Sequence, residues 1–389
     1  PLSPLMRLLS LFLLVGVLSF SPDAQAQQLS DPIRVAHVDL DYVYDPDPIQ
    51  LNRNLELLVQ RITDLGANTV FLQAYAAPAG DGLVKAVYFP NRWMSVRADI
   101  FNRVAQQLRN RTNASVYAWM PVLSFDLDPT FDRVTRWESK TPHTKAQPDP
   151  KQYKRLSPFD ARAREQIIEI YEDLASHAQF DGILFHDDAL LSDFEDASPS
   201  ALQAYQQAGL PNNIKILHDD PTLMQRWARF KTQTLNQFTI ELADRVKTIR
   251  GPQIKTARNI FAMPILEPES EVWFAQNLDD FLALYDYTAP MAMPYMEGIP
   301  PEQANAWLTE LVSEVAKRSG ALERTVFEVQ ARDWSKPKAP FISGAVMARW
   351  MRTLQQEGAN HFCYYPEDFI ANHPPLSEIQ RVISVPAPQ

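Results

Sequence analysis

The sequence predicts an α/β fold of the (β/α)8 TIM type, with a loop insertion after strand three and a helical insertion after strand four. Three observations predict it. Eight short apolar segments alternate with helical stretches along the chain, the order that parallel strands with right-handed crossovers produce. The length of 389 residues suits one large barrel. An apolar fraction of 46% can fill such a core, and a charged fraction of 22% is that of a folded chain rather than a disordered one. The competing arrangement is an open, doubly wound sheet.

The elements follow in order. Arg34–Val43 reads as a strand and 50–65 as its helix; Thr69–Tyr75 and 100–109 repeat the unit. Strand three spans Ser115–Phe125. The polar stretch 126–156 reads as a long loop over a site, since structureless loops of this length are usually functional or disordered. Ser157 followed by Pro158 reads as a helix start, and the helix runs to about His177. Strand four is 181–186. Helical periodicity at 199–208 and 222–250 forms the second insertion. The pattern resumes with a strand at 255–266 and a helix at 273–284. A strand at 285–295 and a helix at 301–317 follow, then a strand at 325–331 and a helix at 343–356. His361–Tyr365 closes the series.

The first 26 residues read as an address. Arg7 precedes an apolar run from Leu8 to Phe20, and Ala24-Gln25-Ala26 supplies a small-x-small cleavage site. Such a run falls short of the roughly 20 residues that span a bilayer. The expectation is a signal peptide at 1–26, with Met6 as its start, and a barrel domain at 27–389. The mature protein would be periplasmic or secreted, with no stable membrane insertion. A net charge of −10 makes nucleic acid a poor ligand. The single cysteine, Cys363, rules out an intramolecular disulfide framework and a cysteine-based zinc site. No phosphate-cradling glycine motif occurs. No cofactor and no metal are expected.

Polar residues fall where an apolar barrel strand should not carry them. One parity of the first strand is Ala36, Val38 and Leu40; the other is His37, Asp39 and Asp41. Ionisable groups facing inward are costly unless paired or wetted by a site. Strand seven repeats the pattern, with Glu328, Gln330 and Arg332 opposite Phe327, Val329 and Ala331. Strand two places Gln73 and Tyr75 together. Such residues at strand carboxyl ends describe a site on the top face of the barrel. The densest signal is the apolar strand Gly182–Phe185 running into His186-Asp187-Asp188, with Asp193 beyond. An apolar frame and a neighbouring carboxylate both raise a carboxyl pKa, which suits a general acid. Parity with Ile183 and Phe185 favours Asp187 over Asp188, and both stand as catalytic candidates. Aromatics follow several strands: Tyr153, Trp273, Trp334, and Tyr364 with Tyr365. Flat rings beside acids read as a carbohydrate groove.

The segments His37–Asp45, Phe180–Leu191 and Ala289–Tyr295 resemble the carboxyl-terminal glycoside hydrolase domain of periplasmic poly-β-1,6-N-acetyl-D-glucosamine N-deacetylases, over roughly residues 30–380. The resemblance implies a (β/α)8 fold and an endo-acting hydrolase of partly deacetylated poly-β-1,6-N-acetylglucosamine, in biofilm exopolysaccharide export or turnover. The polysaccharide and the export machinery are the implied partners. The catalytic acid would be one of Asp187 and Asp188, and Tyr153, Asp193, Trp273 and Trp334 would line the groove. Glu267 and Glu328 are candidates for a second carboxylate. His37, Asp39, Asp41 and Tyr364 complete the expected sugar contacts. On this reading no deacetylase domain precedes the barrel, so neither that activity nor its metal is carried over. Two rivals stand: a non-catalytic polysaccharide chaperone, and a metal-dependent deacetylase using His37, Asp39 and Asp41.

Overall fold

Eight parallel strands form the centre of the molecule: β1 Arg34–Val38, β2 Thr69–Gln73, β3 Ser115–Met120, β4 Gly182–Phe185, β5 Lys255–Ile260, β6 Tyr287–Pro290, β7 Val326–Gln330 and β8 His361–Tyr365. This is a computed structural model, and it describes residues 31–137 and 153–385. Neighbours pair in chain order, and β8 returns to β1 through Arg34↔Phe362 and Ala36↔Tyr364. The ring closes between β6 and β7 by two parallel bridges, Thr288↔Thr325 and Met291↔Glu328. The result is the (β/α)8 barrel that the alternating pattern predicts. The signal segment lies outside the described residues, as does part of the loop after β3.

The strands are buried on both faces, as parallel strands covered by helices must be. Each face has its own chemistry. Along β1, Ala36 and Val38 are fully buried on one face, and His37 is nearly so on the other. Gly182 is required by a close approach: a Cβ there would come within 2.7 Å of the Tyr117 ring. The insertion after β4 contributes helices Pro199–Gln207, Ile214–Asp219 and Pro221–Arg250, which share a satellite core around Trp227 and Tyr205.

Several expected elements are shorter than their apolar runs. β1 stops at Val38, and Leu40–Tyr42 is a 3-10 turn, so Asp39 and Asp41 sit on the turn rather than the strand. β3 stops before Pro121, which has no N–H to give a ladder. β5 stops at Ile260, and Met263–Leu266 is a short helix. The expected 273–284 helix is two pieces, Glu271–Phe274 and Leu278–Leu284, separated at Ala275, whose φ of 54° ends the first. The helix expected from Ser157 starts at Ala161, capped by Asp160, whose carboxylate accepts from the Arg162 N–H. Two elements lie outside the expected series: a small sheet of Tyr75–Ala76, Ala86–Val87 and Ser95–Val96, and a last helix, Leu376–Ile383, whose Leu376, Ile379, Val382 and Ile383 fall at helical spacing.

Candidate active site

The carboxyl ends of the strands surround a cavity of about 350 Å3. Its floor is aromatic. Trp119 from β3 meets His37 of β1 at 4.2 Å, His186 at 4.9 Å and Tyr75 at 5.0 Å between ring centroids. Tyr365, the last residue of β8, stacks under Trp334 at 5.9 Å. Among these rings stand two carboxylates with different surroundings.

Asp187 lies just past the end of β4. Its Oδ1 accepts from the Tyr153 hydroxyl at 2.6 Å and lies 2.6 Å from His186 Nδ1. Burial pushes the Asp187 carboxyl up, but His186 and the Tyr153 hydrogen bond outweigh it and hold it below the ordinary aspartate range. Burial likewise works to lower His186, and the Asp187 charge overrides it, so the ring keeps its proton to a higher pH than an ordinary histidine.

Asp39 faces the same cavity from the turn after β1. Tyr365 donates to its Oδ2 at 3.1 Å, while Oδ1 is closed off from water with no partner. Burial, with the neighbouring Asp41 charge adding to it, lifts the Asp39 carboxyl to about 7. Three further buried polar atoms of cavity residues also lack partners: His37 Nε2, Trp119 Nε1 and Glu328 Oε2. Buried groups of this kind are normally bonded, so their clustering marks a place shaped for a polar ligand.

One donor set among the described residues could hold a metal ion. His37, Glu328 and Cys363 are buried and bring ligand atoms within 4.8 Å of one another. A lone cysteine therefore does not exclude a mixed sulfur, nitrogen and oxygen set. Two of these groups already satisfy each other, with His37 Nδ1 and Glu328 Oε1 at 3.1 Å.

The model of hypothetical glycosyl hydrolase family 13 matches residues 37–365. The chain belongs to that family. It is 52% identical over 354 residues to the poly-beta-1,6-N-acetyl-D-glucosamine N-deacetylase of Escherichia coli strain K12, covering 91% of this chain and 52% of that protein. The chain thus spans about half the length of the curated relatives it matches. Among solved structures, the glycoside hydrolase domain of PgaB (BpsB) from Bordetella bronchiseptica matches with a TM-score of 0.84 at 46% identity, over 92% of this chain and all of that one. An alpha-L-fucosidase from Paenibacillus thiaminolyticus, at 11% identity and a TM-score of 0.58 over 91% of this chain and 48% of that one, shares the fold alone.

Within this glycosyl hydrolase barrel, seven expected residues line the cavity: His37, Asp39, Asp41, Tyr153, Asp187, Glu328 and Trp334. Asp41 is held there by four donors: the Gln73 amide, the Ala77 N–H, the Tyr88 hydroxyl and Arg97. It anchors the excursion after β2. Five expected residues do not line the cavity. Asp188 is fully buried and turned away, accepting from the backbone N–H groups of Val122, Leu123 and Ser124 and from the Ser124 hydroxyl. Asp193 lies 2.9 Å from His218 Nε2. Glu267 is exposed between two short helical turns, because β5 ends well before it. Trp273 is 47% exposed on its own helical turn. Tyr364 points to the helices and donates to Glu367 at 3.0 Å.

Asp187 reaches the cavity for a different reason from the parity that favours it. The chain leaves the strand at Phe185, and the ensuing turn, rather than the pleat, aims the carboxylate. The raised carboxyl expected there belongs to Asp39 instead. Trp119, Tyr75, His186, Tyr365 and Asn259 also line the cavity. The alternation of β3, β5 and β8 carries the signal for three of them, since Trp119, Asn259 and Tyr365 lie on the inward parity.

Proposed function

We propose that this chain hydrolyses glycosidic bonds in partly deacetylated poly-β-1,6-N-acetyl-D-glucosamine. The single observation that carries the reading is Asp187, fixed between Tyr153 and His186 in an aromatic-floored cavity at the carboxyl ends of the barrel strands. Family membership and the names of the relatives support the reaction class and the polymer. In the mechanism, His186 and Asp187 hold one proton between them and deliver it to the leaving glycosidic oxygen as the C1–O bond breaks. Asp39, once ionised, faces the developing positive charge at C1 and accepts a proton from the attacking water. The stacked pair Trp334–Tyr365 holds the sugar's apolar face. The proposal extends to an exported protein, with residues 1–26 as its signal peptide and 27–389 as the hydrolase domain. It would act in biofilm exopolysaccharide export or turnover beside the export machinery.

Mass spectrometry of products from defined glucosamine/N-acetylglucosamine oligomers tests the reaction. New reducing ends with the native chain, absent with Asp187→Asn, are expected. A second reading, a polysaccharide-binding chaperone, draws on the lowered pKa of the Asp187 carboxyl, which His186 and Tyr153 hold ionised. Tight oligosaccharide binding without any new reducing end selects it.

A further inference from the structure

Arg258 is fully buried, on the helix-facing side of β5. Its Nη1 donates to Asn236 Oδ1 and to the Tyr285 hydroxyl, both at 2.8 Å, and its Nη2 donates to the Ala189 carbonyl at 3.0 Å. Nε has no partner, and the guanidinium lies 4.2 Å over the Phe281 ring. No carboxylate pairs with it among the described residues. A buried charge without a counter-ion is costly, and an apolar side chain of similar volume is often neutral or stabilising in such a place. Arg258 offsets part of that cost by bonding three buried acceptors, so it supports the fold as well as whatever it positions. What it grips is informative: the carbonyl two residues beyond Asp187. On the other flank, the His186 N–H donates to the Met120 carbonyl at 2.9 Å, and the amides after β3 hold the Asp188 side chain. Arg155, also buried, donates to the Leu190 carbonyl. Among the described residues, the Arg258 hydrogen bond ties the turn to β5 itself, across the barrel wall from β3, and, two residues on, the Leu191 N–H donates to the Phe274 carbonyl beyond that strand at 3.2 Å.

We propose that Arg258 is a positioning residue, fixing the turn that carries Asp187 by holding the Ala189 carbonyl. The inference rests on the reading of Asp187 as the proton-transfer carboxylate. An error of about 1 Å in such a group costs on the order of 100-fold in rate.

The experiment uses Arg258→Met, with Arg258→Lys alongside because the lysine keeps the charge. Two readouts are taken. The first is kcat and KM on a defined partly deacetylated oligosaccharide. The second is the His186 ring titration by NMR in carbon-13 histidine-labelled protein, which reports how close Asp187 stays and needs no turnover. For Arg258→Met the expected results are kcat down about 10- to 100-fold, KM within about twofold, and a His186 midpoint moved down. Arg258→Lys moves both in the same direction by less. An unchanged His186 midpoint in folded Arg258→Met overturns the inference, as does kcat within twofold of the native value. If the native chain cleaves nothing while the His186 midpoint still moves, the functional reading fails and the positioning role stands.

Discussion

Asp187 and Asp188 are chemically identical neighbours with opposite surroundings, and removing each should have opposite consequences. Asp188→Ala takes the acceptor away from three buried backbone N–H groups, those of Val122, Leu123 and Ser124, bonded at 2.9–3.1 Å. A buried donor left without a partner costs roughly 1–3 kcal/mol. Allowing for non-additivity, the total is about 3–6 kcal/mol. Unfolding entropy of about 2.1 cal/mol/K per residue over roughly 350 folded residues is about 0.7 kcal/mol/K. The expected fall in Tm is therefore about 4–8 °C. Asp187→Asn removes a carboxylate whose partners on other residues are two side chains, Tyr153 and His186, and should move Tm by less than about 2 °C while abolishing cleavage. Thermal unfolding by calorimetry, with kcat normalised to folded protein, separates the two. An Asp188→Ala protein with native Tm and no activity would refute the assignment, as would Asp187→Asn unfolding as early as Asp188→Ala.

Three further outcomes follow from the same geometry. Asp39 is lifted to about 7, so kcat/KM should rise with pH through that value, and Asp39→Asn should remove this limb from the pH–rate profile along with most of the activity. The folded state binds the Asp39 proton more tightly than the unfolded state does, so the native residue loses stability as pH rises from about 4 to 7. Asp39→Asn should accordingly gain Tm relative to the native chain at pH 8, and more than at pH 4. Trp334→Ala strips the ring stacked on Tyr365 and should raise KM about 10-fold with kcat within about twofold, since an aromatic platform contributes roughly 1–1.5 kcal/mol. Gly182→Ala drives a Cβ to 2.7 Å from the Tyr117 ring and should lower the denaturant midpoint by the equivalent of about 1–3 kcal/mol.

The barrel was legible because hydrophobic periodicity is a property of the whole chain, and errors of a few residues at each strand end leave the order intact. Site residues on the strands were legible for the same reason: the inward parity of β1 and β7 marks His37 and Glu328. The failures fall where the pleat stops. The apolar run continues past Ile260, which carries the expected strand up to Glu267, whereas the strand itself ends at Ile260 and leaves Glu267 on an exposed turn. Tyr364 and Tyr365 are the same residue type, and the alternation of β8 assigns the inward place to Tyr365 rather than to the expected Tyr364. The excursion after β2 has strands of two residues, too short for any periodicity, yet its loop supplies part of the cavity wall.

Neither composition nor spacing separates Asp187 from Asp188, or Asp39 from Asp41. What separates them is how fully each carboxylate is bonded by its own protein. Asp188 is saturated by backbone amides and Asp41 by four donors. Both are thereby committed to holding the segments between which the cavity opens. Asp39 keeps a buried oxygen with no partner, and Asp187 takes its bonds from side chains that themselves line the cavity. A carboxylate saturated by backbone cannot bond a substrate without unmaking the fold, whereas one left short can do so at little cost. In each pair, then, one aspartate builds the frame and the other is left for the ligand, and the division is made by the turns that follow β1 and β4.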